Sequence, residues 1–180
     1  MFFDICVIGG GAAGMMAAIT AKEAAPSLNI CLVEQLDRVG KKIARTGNGR
    51  CNITNKNITA DNYYGSNPLF AMPFFERFSV LDTCNFFHRI GTPVVFEGDK
   101  GYPRSLQAAS VVDALRFRIE ELKIKTFCNV CLINIEIIGI FIFTKILFWI
   151  LKNIICKQKN QSCCSLNTST ISIIFPLKIN

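Results

Sequence analysis

Gly9, Gly11 and Gly14 stand at the spacing G-x-G-x-x-G within the run Gly9-Gly10-Gly11-Ala12-Ala13-Gly14. A turn built this way lets a diphosphate reach the backbone. The first glycine makes the tight turn, the second clears room for the phosphates, and the third lets a helix lie close on a strand. The first-turn N–H groups of such a helix, here those of Ala12, Ala13 and Gly14, have no partner inside it and present partial positive charge to an anion. Glu34 stands 20 positions after Gly14, where a carboxylate accepts hydrogen bonds from a ribose and repels a 2′-phosphate. The chemistry these residues can do together is dinucleotide binding, of FAD or NAD rather than NADP.

That chemistry needs a strand, a turn, a helix and a second strand in order. Phe2–Ile8, FFDICVI, is a short apolar run ended by glycines, as suits a strand buried on both faces. Ala12–Ala25 is rich in Ala and Met and is closed by Pro26, as a helix is. Asn29–Glu34, NICLVE, predicts the second buried strand. Strand, turn, helix and strand within about 30 residues make a βαβ crossover and imply parallel pairing. The fold class read from this is α/β, a Rossmann-like βαβ unit with a parallel sheet.

Further along, Gln35–Thr59 is polar, basic and rich in Gly and Asn, which predicts a long functional loop. Leu69–Ile90 predicts one helix, because Phe70, Phe74, Phe78 and Leu81 recur at steps of three and four; that stripe reads as packing core rather than a cofactor box. The single histidine, His88, falls near its end and reads as a capping or surface residue, since no Ser, Cys or acid stands at a telling spacing. Thr92–Phe96 predicts a strand and Glu97–Gly101 a turn. Ser110 is expected to cap a helix over Val111–Leu122, with Asp113 near its N-terminus, and Ile124–Ile133 to form another strand.

The 180 residues carry a net charge of +7, with 51% hydrophobic and 18% charged residues. Arg38, Lys41, Lys42, Arg45 and Arg50 cluster just after the glycine unit, with no aromatic interleaved. A polyanionic cofactor is the more economical partner for such a cluster, and nucleic acid is not expected. Nine cysteines without a signal peptide predict free thiols in a reducing, cytoplasmic setting. Cys128 and Cys131 form a lone C-x-x-C, and no metal site is expected. After Arg118 the chain has no further Ala, Asp or Arg. This divides it into residues 1–128, a dinucleotide-binding region, and 129–180, a divergent tail rich in Ile, Lys and Asn. Leu132–Leu151 is apolar enough to suggest a membrane-associated helix, with a frameshifted reading as the alternative.

Gly40-Lys41-Lys42, followed by Thr46-Gly47-Asn48-Gly49-Arg50-Cys51-Asn52-Ile53-Thr54-Asn55, resembles the signature G-K-K … T-G-N-G-R-C-N-x-T-N of the bacterial BaiN/RdsA-type, aminoacetone-oxidase-like NAD(P)/FAD-dependent oxidoreductases. Tyr102-Pro103-Arg104-Ser105, with Gln107-Ala108 and Ser110–Leu115, resembles that family's second block at the same spacing. The resemblance covers Met1–Leu122 and fades by Glu136. It implies a flavoprotein with noncovalent FAD, NAD(P)H as reductant, and an inserted substrate domain.

Carried over residue by residue, Gly9, Gly11, Ala12, Ala13 and Gly14 would hold the pyrophosphate, with Glu34 and the adjacent Gln35 at the ribose. Lys41 and Lys42 would continue along the cofactor, and Gly49, Arg50, Cys51 and Asn52 would approach the flavin. No catalytic residue is implied. Cys51, beside Arg50, has the setting of a thiol with a lowered pKa, yet reactive-disulfide flavoenzymes pair two cysteines and no C-x4-C is present; packing or flavin contact is expected instead. Family members are about twice this length or more. A fragment that binds FAD weakly and is inactive alone is therefore expected, the alternative being a noncatalytic nucleotide-binding fragment anchored to membrane through Leu132–Leu151.

Overall fold

A computed structural model describes residues 2–132, and the backbone of three short segments beyond them, 136–138, 141–143 and 177–178. In chain order the strands and α-helices are β1 (Phe2–Phe3), β2 (Ile5–Ile8), α1 (Ala12–Ala24), β3 (Ile30–Val33), β4 (Thr54–Asn55), α2 (Met72–Arg77), α3 (Val80–Arg89), β5 (Val94–Glu97), β6 (Lys100–Pro103), α4 (Ala108–Glu121), β7 (Lys125–Phe127), β8 (Glu136–Ile138), β9 (Phe141–Phe143) and β10 (Leu177–Lys178). The chain forms two compact units, Met1–Lys41 with Arg116–Asn180, and Lys42–Leu115.

The first unit holds a sheet of order β2-β3-β7. Ile5 pairs with Ile30 and Cys31 with Lys125, and both ladders are parallel. The expected single strand over Phe2–Ile8 is interrupted at Asp4, whose carboxylate accepts from the Asn29 N–H at 2.7 Å and so competes with the ladder. All of Ile30–Val33 is buried, as a strand covered on both faces must be. Met15, Ala18 and Ile19 of α1 are fully buried beside Val7 and Leu32, and burying a side chain the size of Leu32 contributes about 1.5–3 kcal/mol. Phe3, Cys6, Cys31, Val33 and Val130 form a second cluster, in which Phe3 meets Phe127 edge to face at 5.9 Å. The Arg118 guanidinium bonds Glu23 at 2.7 Å and so fastens the C-terminal turn of α4 to α1. The strand expected over Ile124–Ile133 is only Lys125–Phe127, because Asn129 turns left-handed (φ 59°) and its N–H goes to the Leu36 carbonyl.

The apolar run Leu132–Leu151 does not form one continuous helix. Glu136–Ile138 and Phe141–Phe143 pair as antiparallel strands, an extended geometry that alternating β-branched and aromatic residues favour. The rest of that run lies outside the described residues. Among the described residues, no helix is long and apolar enough to cross a membrane.

The second unit is built on the antiparallel sheet β4-β6-β5. The helix expected over Leu69–Ile90 is two helices, broken at Phe78 and Ser79. Ser79 starts α3 with a capping box: its Oγ accepts the Asp82 N–H at 3.2 Å, and Asp82 Oδ2 accepts the Ser79 N–H at 2.8 Å. The break disperses the aromatic stripe, so Phe70, Phe74, Phe78 and Leu81 are exposed while Phe86 and Phe87 are buried. The bonds from Ser79 hold the Asp82 carboxyl below its ordinary value. A depressed pKa contributes stability above the unfolded-state value that is lost as pH falls through the folded one. Acidification below the usual carboxylate range should therefore fray α3, and Asp82→Asn should remove that pH dependence from the far-ultraviolet circular dichroism.

His88 sits exposed in the last turn of α3. Helix α4 starts at Ala108, ahead of the expected Ser110 cap. Leu106 turns left-handed (φ 55°) after β6, and the Gln107 N–H goes to Ser105 Oγ at 3.2 Å. Ser110 thus lies inside the first turn, its hydroxyl donating to the Gln107 carbonyl.

Candidate functional site

The glycine turn joins β2 to α1 in the first unit. Gly9 adopts φ 100°, a conformation L side chains rarely take, and its N–H bonds the Val33 carbonyl at 2.7 Å. A Cβ on Gly14 would lie 1.8 Å from the Gly9 carbonyl oxygen, so helix and turn meet backbone to backbone. Gly11 is the N-cap of α1 and offers no side-chain cap, and the first turn carries no acid. The first bond back into the helix runs from the Met15 N–H to the Gly11 carbonyl. The N–H groups of Ala12, Ala13 and Gly14 precede it, on a stretch whose alanines are exposed. This end of the helix can receive an anion.

Glu34 follows β3 and turns back onto the glycines. Its Oε2 accepts the Gly10 N–H at 2.6 Å and its Oε1 the Leu36 N–H at 2.8 Å. Its own N–H goes to the Phe127 carbonyl, and its carbonyl accepts from Val130, so the buried residue is fixed from both chain directions. An ionised carboxylate has about four lone-pair positions, which leaves acceptor capacity for a sugar hydroxyl. Gln35 beside it is exposed. The sequence does not single out Val39, and Gly40 enters only through the signature Gly40-Lys41-Lys42, with no contact to the glycine turn expected. The Gly40 N–H bonds the Gly10 carbonyl at 2.8 Å, and Val39 packs so tightly that a Cβ on Gly10 would meet its Cγ1 at 2.5 Å. Lys41 pairs with Asp37, whose carboxyl that hydrogen bond holds below its ordinary range. A cavity of about 510 Å³ is lined by Asp37, Arg38, Val39, Arg116, Thr126 and Cys128, among others.

Lys42, Gly49, Arg50, Cys51 and Asn52 belong to the second unit. There the chain reverses through left-handed Gly47 (φ 56°), Asn48 (φ 53°), Gly49 (φ 82°) and Cys51 (φ 59°). Cys51 is buried, and burial pushes its thiol pKa up, with the Thr46 contact offsetting part of the rise. It lacks the exposed, thiolate-favouring setting of a reactive cysteine. Brief alkylation followed by peptide mapping should label exposed Cys131 well ahead of Cys51, Cys6 and Cys31; equal labelling would contradict this burial. Arg50 donates to Glu97 Oε2 at 2.7 Å and lies 4.2 Å above the Tyr102 ring. Neither partner was expected from the sequence, because 47 residues separate Arg50 from Glu97.

Residues 3–144 match the family described as HI0933-like protein Rossmann domain. The chain belongs to that family. It is 40% identical over 126 residues to a 3-dehydro-bile acid delta(4,6)-reductase of Clostridium scindens, an alignment covering 70% of this chain and 31% of the relative. It is 34% identical over 89 residues to a ribosomal RNA dihydrouridine synthase of Escherichia coli, covering 49% of this chain and 22% of that one. The chain thus spans about a third or less of the length of these relatives. Its fold is similar to the open conformation of a flavocytochrome c3 fumarate reductase, with TM-score 0.51, 19% identity, and coverage of 75% of this chain and 28% of that one. It is also similar to THI4 of Thermovibrio ammonificans, with TM-score 0.50, 10% identity, and coverage of 79% and 45%. The HI0933-like chain is a Rossmann-like α/β protein with a parallel sheet, and it covers part of the family's length.

Proposed function

We propose that this chain carries the dinucleotide-binding region of a flavin-dependent oxidoreductase, with FAD as the dinucleotide. One observation carries the reading: the uncapped N-terminus of α1 opens on a glycine turn whose Gly10 N–H is held by the Glu34 carboxylate. The amides of Ala12, Ala13 and Gly14 receive the diphosphate, while Gly9 and Gly11 let it approach. Glu34 keeps lone pairs for the ribose and disfavours a 2′-phosphate. The family signature adds Gln35 near the ribose, Lys41 and Lys42 along the cofactor, and Gly49, Arg50, Cys51 and Asn52 toward the flavin. When bound, FAD supplies the hydride chemistry; the chain's own residues bind and orient it. We take residues 1–128 as the N-terminal part of that binding domain and 129–180 as a separate tail, in a cytoplasmic protein.

The test is direct. Titrating purified chain into FAD should quench the flavin fluorescence saturably, with the weak affinity expected of a chain that spans about a third of its relatives' length and without bleaching by NADH or NADPH. Failure of FAD to bind saturably, or preference for NAD over FAD, would overturn the reading. The substrate belongs to one of two classes, a small organic molecule as the name of the C. scindens relative suggests, or RNA as that of the E. coli relative does. Retention on RNA that weakens steeply with salt would select the second.

A further inference from the structure

Five of the ten large apolar side chains that stand exposed among the described residues fall between Leu69 and Leu81. Leu69, Phe70, Phe74, Phe78 and Leu81 are each between 45% and 68% exposed. Phe70 lies in the 3₁₀ turn Pro68–Ala71, which runs directly into α2. The Phe70 and Phe74 rings lie 5.5 Å apart, and the Phe78 N–H bonds the Phe74 carbonyl at 2.9 Å. Steps of four along such a path put the three rings on one face.

Helix α2 does not account for its own stability. It has six residues, no side-chain cap and no buried residue. A helix this short does not persist on propensity and needs its apolar face packed. Phe75 meets Tyr63 at 5.6 Å and so attaches α2 to the rest of the second unit. That side chain projects about 100° around the helix from Phe74, so the contact leaves the Phe70, Phe74 and Phe78 face open. Contiguous open patches of this kind mark interaction surfaces.

The face has the size and the chemistry to cover itself. At these exposures the three phenylalanines and two leucines offer roughly 500–600 Å² of surface. Two copies closed about a two-fold axis would bury about 1,100 Å², just over the ~1,000 Å² that a specific interface needs and well below what obligate dimers bury. Phe70, Phe74 and Phe78 carry no charge, so the face meets its own copy without repulsion, as an isologous contact requires. Aromatic rings brought together this way gain beyond their buried area.

We propose that the open face of the 3₁₀ turn and α2 is a dimer interface, its occupant the same face of a second copy of this chain. The interface lies within the second unit and does not depend on the FAD reading. Its area is that of a reversible dimer, one that forms and separates with protein concentration.

Sedimentation equilibrium of the full chain across the micromolar range tests this. The mass should rise from 20.0 kDa to twice that value and stop there. Phe74→Glu places a charge within the interface and should raise the dimer dissociation constant at least about thirtyfold. Its far-ultraviolet circular dichroism should match that of the parent diluted to the monomer. Phe117→Glu, about as exposed as Phe70 but on α4 outside this face, should leave the constant at its parental value. If Phe74→Glu does not fold, Phe70→Glu in the 3₁₀ turn carries the test with the same expected loss. A parent that stays at 20.0 kDa throughout overturns the proposal. So does growth past the dimer, or a folded Phe74→Glu variant that associates as the parent does. Co-sedimentation of a monomeric parent with phosphatidylcholine vesicles would assign the face to lipid and overturn it as well.

Discussion

Gly14→Ala should lower stability by about 3 kcal/mol, read as a fall in the urea midpoint, and should abolish FAD binding. The added Cβ would lie 1.8 Å from the Gly9 carbonyl oxygen and 3.0 Å from its carbon. Both are backbone atoms of a turn already committed to φ 100°, so no rotamer change relieves the clash. Helix α1 would have to lift away from β2, opening the packing around fully buried Met15 and Val7 and moving the amides that face the diphosphate. Gly10→Ala is the control. Its Cβ would meet the Val39 side chain at 2.5 Å, which a shift of that side chain relieves in part, so the loss should be smaller. A Gly14→Ala variant with a parental midpoint would mean that helix and turn are not in contact as described.

The second large effect is expected at Glu34. Glu34→Ala removes the acceptor of two backbone N–H groups, those of Gly10 and Leu36. Hydrogen bonds to a charged group are worth about 1.5–3 kcal/mol each, and stranding their buried donors adds to the cost. A loss of about 3 kcal/mol is expected, with FAD affinity down at least about tenfold. Glu34→Gln keeps one acceptor but turns an amide N–H₂ toward a backbone donor, so it should fall between parent and alanine variant. If Glu34→Ala weakened FAD binding while leaving the midpoint unchanged, the carboxylate would serve only the ligand.

This prediction differs from what the sequence alone supports. Spacing assigns Glu34 to a ribose, and nothing in the spacing says that the same carboxylate also closes the glycine turn. The Phe stripe shows the same limit in another form. Phe70, Phe74, Phe78 and Leu81 have helical spacing, and spacing identifies a face without identifying what covers it. The helix breaks at Ser79, and the Ser79-to-Asp82 capping box was the legible signal for that break. Asp4 likewise splits a strand that looked continuous, through a bond to Asn29, 25 residues away.

The amino-acid sequence by itself determined the βαβ unit, its parallel pairing, the helix with an open N-terminus and the carboxylate at the tip of the second strand. Each of these depends on groups a few residues apart, or on a crossover too short to pair the strands any other way. The tertiary structure alone decided that Glu34 bonds Gly10, that Val39 and Gly40 close over the turn, and that Glu97 and Tyr102 hold Arg50. Those contacts join distant parts of the chain. Their geometry exists only once packing has brought the parts together, and no local preference of the residues encodes it.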